Sequence, residues 1–146
     1  MAASPAGVIP HLVVDNGLAA IEFYKKGLGA IEKSRSPAQD GKRIMHAEVE
    51  VNGMPVYLSD DFPEYAGGKS RTPKAYGGSP ITLHLNVANC DAAVARAVEH
   101  GAKVTMAPMD AFWGMRYAQI TDPFGHQWAI AHPIPPSAPP ASMRPK

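Results

Sequence analysis

The chain has 146 residues, with 14 Lys and Arg against 13 Asp and Glu, a formal net charge of +1 and 45% hydrophobic residues. This composition is typical of one globular domain, and without a basic stripe it argues against a nucleic-acid partner. The single cysteine, Cys90, excludes an intrachain disulfide and a cysteine-based zinc site. With neither a membrane-length apolar run nor a signal-peptide pattern, we expect a cytoplasmic protein without a membrane partner.

The first half of the chain predicts a strand, a helix and three further strands. Asp15 or Asn16 can cap the helix, and the Asn52-Gly53 pair predicts a tight hairpin turn. The predicted strands are residues 8–14, 30–35, 44–51 and 54–59, and the apolar stripe of the helix is Leu18, Ile21, Phe23 and Leu28.

Residues 60–80 form a predicted linker, because they contain four glycines, three prolines and no periodicity. Phe62, Tyr65 and Tyr76 lie within it. Glycine gives such a segment hinge freedom, and the aromatic rings can close over an apolar ligand. The linker is therefore either a lid or a passive tether, and we favour the lid.

The same order of elements recurs in the second half. A strand at 81–87 precedes a helix that Asn89 can cap, and a short strand is predicted at 104–106. Residues 115–121 and 127–131 then form a hairpin around Asp122-Pro123 and Gly125. The apolar stripe of this second helix is Ala93, Val94, Ala97 and Val98.

Three pairs of landmarks indicate that this recurrence is a duplicated module. Val14 and Val87, each followed by a cap, are 73 residues apart, and the helix-ending glycines Gly29 and Gly101 are 72 apart. The turn glycines Gly53 and Gly125 are also 72 apart. An internal repeat of this kind predicts two copies of one β-α-β-β-β unit.

Strand periodicity assigns one polar face to each module, since alternate residues share a face. Leu12 and Val14 should pack on the helix, which turns His11 away from it. The same reasoning turns His84 and Asn86 away from the second helix. In strand 44–51 the predicted helix-facing residues are Met45, Ala47, Val49 and Val51, and those facing away are His46, Glu48 and Glu50.

Three features of the chain point to a known family: the duplicated β-α-β-β-β order, the segment Ile21-Glu22-Phe23-Tyr24 and the segment Asp122-Pro123-Phe124-Gly125-His126. Together they resemble the vicinal oxygen chelate superfamily of glyoxalases, bleomycin-resistance proteins and extradiol dioxygenases. Residues 22–25, 77–80, 112–117 and 122–128 are similar to its PhnB-like branch. The resemblance implies one α+β domain over residues 8–132, with modules at 8–59 and 81–132. They would form a cupped mixed sheet with helices on the outer face, in a homodimer of side-by-side or exchanged modules.

Residues 133–146, rich in proline, are a predicted disordered tail.

Metal-dependent members of the superfamily place a His, Glu or Gln ligand on the first and last strands of each module. The matching positions here are Ile9, Tyr57, Thr82 and Ala129, and none is a good ligand for a divalent cation. We therefore expect no cofactor. A displaced metal site formed by His11, Glu48 and His84 is the alternative.

Two functions follow from the resemblance. The first is a small-molecule-binding or sequestering protein that lacks the usual metal. The second is a lyase, isomerase or dioxygenase whose catalytic candidates are His11, Glu48 and His84, so whether the protein is an enzyme stays open.

We expect His126 to make a structural hydrogen bond and Trp128 to lie in the core. The predicted ligand-binding residues are His11, His46, Glu48, Tyr57, His84, Asn86, Trp113 and Arg116.

Overall fold

The computed structural model describes residues 5–136, and it confirms the predicted fold class. Its secondary structure contains the β-α-β-β-β unit twice, and each unit forms its own four-stranded mixed sheet. Most of the predicted tail, residues 137–146, lies outside the described residues.

The first module contains β1 (His11–Val14), α1 (Gly17–Leu28), β2 (Ile31–Pro37), β3 (Ile44–Val51) and β4 (Met54–Asp60). The strands lie in the order β1-β4-β3-β2, with β1 parallel to β4 and the other neighbours antiparallel.

The second module repeats this arrangement with β5 (Thr82–Asn86), α2 (Cys90–Glu99), β6 (Lys103–Asp110), β7 (Met115–Thr121) and β8 (Gln127–Pro133). Its strand order is β5-β8-β7-β6, again with the first strand parallel to the last. The linker between the modules carries two short 3₁₀ turns, at Pro63–Tyr65 and Pro73–Tyr76.

Two strands of the second module extend beyond their predicted ends. β6 has eight residues where the sequence predicted three, because it pairs with β7 although its own residues lack clear alternation. β8 includes Pro133, which had been assigned to the tail. Pro133 lies at the end of the strand opposite Met115, where its missing N–H removes little from the hydrogen-bond ladder.

The helix starts show the duplication in atomic detail. The side chains of Asn16 and Asn89 accept hydrogen bonds from Ala19 and Ala92 N–H, both at 3.0 Å. The first helical N–H of each helix is also bound by the end of its module's last strand. Gly17 N–H donates to Asp60 Oδ1 at 2.9 Å, and Cys90 N–H donates to His132 Nδ1 at 2.7 Å.

The helix-covered faces of the two sheets share one hydrophobic core, and α1 contacts α2. Tyr24, only 1% exposed, reaches from α1 into the second module, where its hydroxyl donates to Asp122 at 2.7 Å. Trp128 lies in the core as predicted, and its indole N–H donates to the same carboxylate at 3.0 Å. The core therefore joins the modules into one domain.

Strand periodicity assigns the faces correctly with one exception. Leu12, Val14 and Leu85 are buried, as predicted, but Met45 is 40% exposed and Ile44 is buried instead. The register between β2 and β3 shifts at Ser36 and Pro37. A bulge of this kind reverses the side-chain alternation at the strand start, so the prediction for Met45 was wrong.

The two hairpin turns provide a matched pair of tests. Gly53 and Gly125 both have positive φ, but a Cβ on Gly53 meets open space while one on Gly125 would lie 2.8 Å from Pro73 Cβ. We expect Gly53→Ala to lower the free energy of unfolding by about 1–2 kcal/mol through backbone strain. For Gly125→Ala we expect about 2–4 kcal/mol, since overpacking adds to the strain. Urea denaturation of both variants measures the difference, and equal losses would contradict the packing of Pro73 on this turn.

Candidate functional site

The polar face of the first sheet gathers four of the predicted ligand-binding residues. Tyr57 on β4 lies between His11 on β1 and Glu48 on β3 in the strand register. The His46 ring lies 4.7 Å from that of Tyr57 and 5.9 Å from that of His11, centroid to centroid. These side chains make one continuous polar surface.

His11 is held on this face as a neutral imidazole. Its Nε2 lies 3.2 Å from Ser59 Oγ, within hydrogen-bonding distance. Partial burial lowers the pKa of His11 below its ordinary value, and the electrostatic influence of the neighbouring His46 and Arg71 lowers it further. At neutral pH the ring can therefore donate one hydrogen bond and accept another.

This lowered pKa predicts a pH dependence of stability. Because the folded protein binds a proton at His11 less readily than the unfolded chain does, the free energy of unfolding should fall as pH drops through the unfolded pKa of about 6.5 toward the lower folded pKa. In His11→Asn this contribution should be absent, so the variant should lose less stability between about pH 7.5 and pH 5.5. Urea denaturation at both pH values tests it, and equal losses in the two proteins would contradict it.

A cavity of about 430 Å³ lies over one end of this face. Its floor comes from strand residues and its wall from the linker, so the linker takes part in the site. The lining side chains that matter chemically are His11, Met45, Ser59, Phe62, Tyr65 and Arg71. The third aromatic residue of the predicted lid, Tyr76, is exposed and lies outside this lining.

Arg43 fastens the linker wall to the first module. Its guanidinium binds both carboxylate oxygens of Glu64, at 3.1 and 2.6 Å, and lies 4.2 Å from the centroid of the Phe62 ring. It also donates to the Asp61 carbonyl at 3.1 Å. The first turn of the linker is thus held in place beside the cavity.

The polar face of the second sheet carries a separate group. His84 Nε2 lies 2.8 Å from Asn86 Oδ1, and its ring lies 6.3 Å from that of Tyr117. The Trp113 ring, 5.4 Å from Tyr117, remains about half exposed. His84 and Asn86 also line a second cavity of about 490 Å³, between the β3–β4 hairpin and β5.

Sequence reasoning missed Tyr117 and Gln119, which face this group from β7. Gln119 donates to the Tyr117 hydroxyl at 3.0 Å. Strand periodicity could have identified both residues, because they alternate with Ala118 and Ile120, two apolar residues that are buried on the other face. It also missed Arg71, which lies in a part of the linker without periodicity.

One predicted residue and one predicted set of metal ligands do not come together with the rest of the site. Arg116 points away from the other site residues, and its guanidinium binds Asp91 on α2 at 2.8 and 2.9 Å and Asp110 at 3.1 Å. Of the displaced metal set, His11 and Glu48 lie on the first sheet and His84 on the second. Within residues 5–136, the structure contains no group of three or more His, Cys, Asp or Glu side chains that could hold a metal ion.

His126 bridges the modules as a structural residue, in line with the expectation from sequence. Its Nε2–H donates to the Val13 carbonyl at 2.8 Å and so ties the last hairpin to β1. Among the described residues, no helix combines the length and hydropathy needed to cross a membrane.

Comparison with known proteins places this geometry in a family. Residues 8–130 match the profile of the Glyoxalase/Bleomycin resistance protein/Dioxygenase superfamily. An uncharacterized protein of Mycobacterium tuberculosis is 48% identical over 125 residues, covering 86% of this chain and 73% of the relative.

Solved structures share the fold over most of the chain. The crystal structure of an Arabidopsis thaliana gene product superimposes with a TM-score of 0.69 at 27% identity, covering 88% of this chain and 99% of the other. The PhnB protein of Bacillus cereus superimposes with a TM-score of 0.63 at 15% identity, covering 87% and 99%. With its duplicated βαβββ modules and a profile match over most of its length, this chain belongs to the glyoxalase/bleomycin resistance/dioxygenase superfamily.

Proposed function

We propose that this protein binds a small molecule in the cavity over the first sheet, as a cytoplasmic binding or sequestering protein without a divalent metal. The cavity itself carries the proposal. Its volume of about 430 Å³ falls within the range typical of small-molecule sites, and it combines aromatic walls with a few polar groups. His11, Ser59 and Arg71 supply those polar groups at one end of the cup.

The donor set argues against the metal chemistry of the superfamily. At the four positions matched to its ligands, this chain has Ile9, Tyr57, Thr82 and Ala129. Ile9 and Ala129 have apolar side chains, and a neutral phenol and a hydroxyl are poor partners for a divalent cation compared with His or carboxylate. The residues at these positions therefore do not fit the usual metal.

A screen by thermal denaturation tests the proposal. A ligand that binds the folded protein alone stabilises it by about 2.7 kcal/mol at a concentration of 100 Kd. We expect some small molecules to raise the Tm of the wild type and to lose that effect in Tyr65→Ala, which opens the cavity wall. A broad screen with no stabilising compound, or hits unaffected by changes in the cavity, would count against binding at this site.

The lowered pKa of His11 supports an enzyme as the alternative function. An imidazole that is unprotonated at neutral pH can accept a proton from a bound substrate, as a lyase or isomerase requires. A metal-dependent enzyme of the kind expected from the sequence, including a dioxygenase, needs His11, Glu48 and His84, which lie on two different sheets and would have to be brought together. Elemental analysis of protein purified without chelator or nickel decides that case: stoichiometric metal that disappears in His84→Ala would overturn the metal-free proposal.

We also predict a homodimer. Large apolar side chains are exposed at several places, including Phe112, which is 97% exposed, Trp113, Met54 and Ile81. The rings of Phe112 and Trp113 lie 5.0 Å apart, and a contiguous exposed apolar patch of this kind is typical of a surface that associates. Light scattering at micromolar concentration should give twice the chain mass of 15.5 kDa. A mass near that of one chain would refute the prediction.

A further inference from the structure

The structure points to a ligand class: we propose that the cavity over the first sheet binds a planar aromatic acid, with its carboxylate on Arg71 and its ring against Phe62 and Tyr65. This inference rests on the proposed function, because it assumes that the cavity is a binding site. It adds the charge and the shape of the molecule bound.

Arg71 supplies the charge that selects an anion. Arg71 lines the cavity, and within residues 5–136 its guanidinium makes no salt bridge or hydrogen bond. Its backbone is fixed, however, because Arg71 N–H donates to Asp61 Oδ1 at 3.0 Å. A guanidinium in this position can meet a carboxylate with two parallel hydrogen bonds, the geometry that arginine favours.

The two acidic residues in the lining are already engaged by protein donors. Asp60 accepts from Gly17 N–H at 2.9 Å and from Ile44 N–H at 2.7 Å, one on each oxygen. Asp61 likewise accepts from the Ser70 hydroxyl on one oxygen and from Arg71 N–H on the other. Each carboxylate oxygen thus already has a protein donor, whereas Arg71 is the charged lining residue whose side chain has no protein partner among residues 5–136.

The linker wall supplies the apolar contact for a flat ring. The rings of Phe62 and Tyr65 lie 5.8 Å apart with an angle of 32° between their planes, so they form a broad and nearly continuous aromatic surface. The Arg43 guanidinium packs on the Phe62 ring and holds it in place. Because Arg43 is paired with Glu64, Arg43 does not compete with Arg71 for an anionic ligand. Aromatic surfaces of this kind favour stacked or edge-on aromatic partners.

His11 on β1 adds a hydrogen-bonding group to the cavity lining. Because its imidazole is neutral, it can meet a hydroxyl or ring nitrogen of the ligand without adding charge. The cavity volume of about 430 Å³ accommodates a molecule of one or two fused rings.

Isothermal titration with three probes of the same shape tests the class. The probes are naphthoate, its uncharged amide and the matching naphthylmethylammonium cation. They are titrated into the full chain as wild type, as Arg71→Gln and as Lys69→Gln. Lys69 is an exposed cation of the same linker outside the cavity lining, so its variant makes the same charge change away from the site.

We expect naphthoate to bind the wild type at least about tenfold more tightly than the amide, the effect of one charge-assisted hydrogen-bonded pair. Arg71→Gln should abolish that difference and Lys69→Gln should retain it, with the Tm of both variants unchanged in the absence of probe. If the amide or the cation binds as tightly as the acid, or if the preference survives Arg71→Gln, the ligand class is wrong, and the thermal screen with Tyr65→Ala judges binding in the cavity separately. If none of the three probes binds, the ligand class is also wrong, and the broader thermal screen then judges the proposed function separately.

Discussion

Replacing Asp122 with alanine should lower the free energy of unfolding by about 4 kcal/mol, a loss larger than most single substitutions produce. The carboxylate is 3% exposed and accepts four hydrogen bonds. Two come from side chains, Tyr24 Oη–H at 2.7 Å and Trp128 Nε1–H at 3.0 Å. Two come from the backbone N–H groups of Phe124 and His126, at 2.9 and 3.0 Å.

The expected size follows from the donors that would be left behind. A buried donor without a partner destabilises the fold by about 1–3 kcal/mol, and the alanine variant leaves several of them at one place. Part of the loss will be recovered by water entering the space of the missing carboxylate. Because Tyr24 belongs to α1 and Asp122 to the second module, the substitution also weakens the contact between the modules.

Two further variants separate the parts of this cluster. Tyr24→Phe removes one donor and leaves the carboxylate with three, so we expect a loss of about 1.5–3 kcal/mol, as for other hydrogen bonds to charged groups. Asp122→Asn keeps the shape but turns an NH₂ group toward donors, and should lie between the two. Urea denaturation gives all three values. A loss below about 1 kcal/mol for Asp122→Ala would contradict the buried network as the source of stability.

The duplicated modules and their polar faces were predictable from the sequence because both depend on regular spacing. Strand parity placed His11, His46 and Glu48 on one face of the first module and His84 on the matching face of the second. The same spacing could not predict the reversed start of β3, since a bulge at Ser36 and Pro37 is not encoded by alternation.

Contacts between distant and irregular segments were beyond sequence reasoning for a different physical reason. Tyr24 and Asp122 are 98 residues apart, and a periodic pattern carries no information about which polar groups meet across a core. Arg116 was predicted to bind a ligand, yet its pairing with Asp91 on α2 turns it to the helix-covered face. Arg71 lies in an aperiodic linker, so no pattern pointed its guanidinium toward the cavity.

Asp60→Ala should lower the free energy of unfolding by about 3 kcal/mol, and the duplication of the fold supplies its control. Asp60 ends β4, and its two oxygens accept from Gly17 N–H at the start of α1 and from Ile44 N–H at the start of β3. Gly17 leaves no space between backbone and carboxylate, because a Cβ there would lie 2.5 Å from Asp60 Oδ2. Removing the carboxylate thus strands two buried donors at a junction of three elements.

His132 occupies the equivalent position in the second module, where its Nδ1 accepts from Cys90 N–H at 2.7 Å. His132 serves one donor with an imidazole nitrogen, so His132→Ala should cost about 1 kcal/mol. The difference between the two variants reflects the second donor of Asp60 and the negative charge of its carboxylate. Asp60 also precedes the linker wall of the cavity, so hydrogen exchange at residues 61–71 should quicken in Asp60→Ala and stay unchanged in His132→Ala. Equal losses of stability with equal exchange would mean that the carboxylate caps a helix and does no more. Faster exchange confined to Asp60→Ala would show that the anchor of α1 also holds the wall of the binding site.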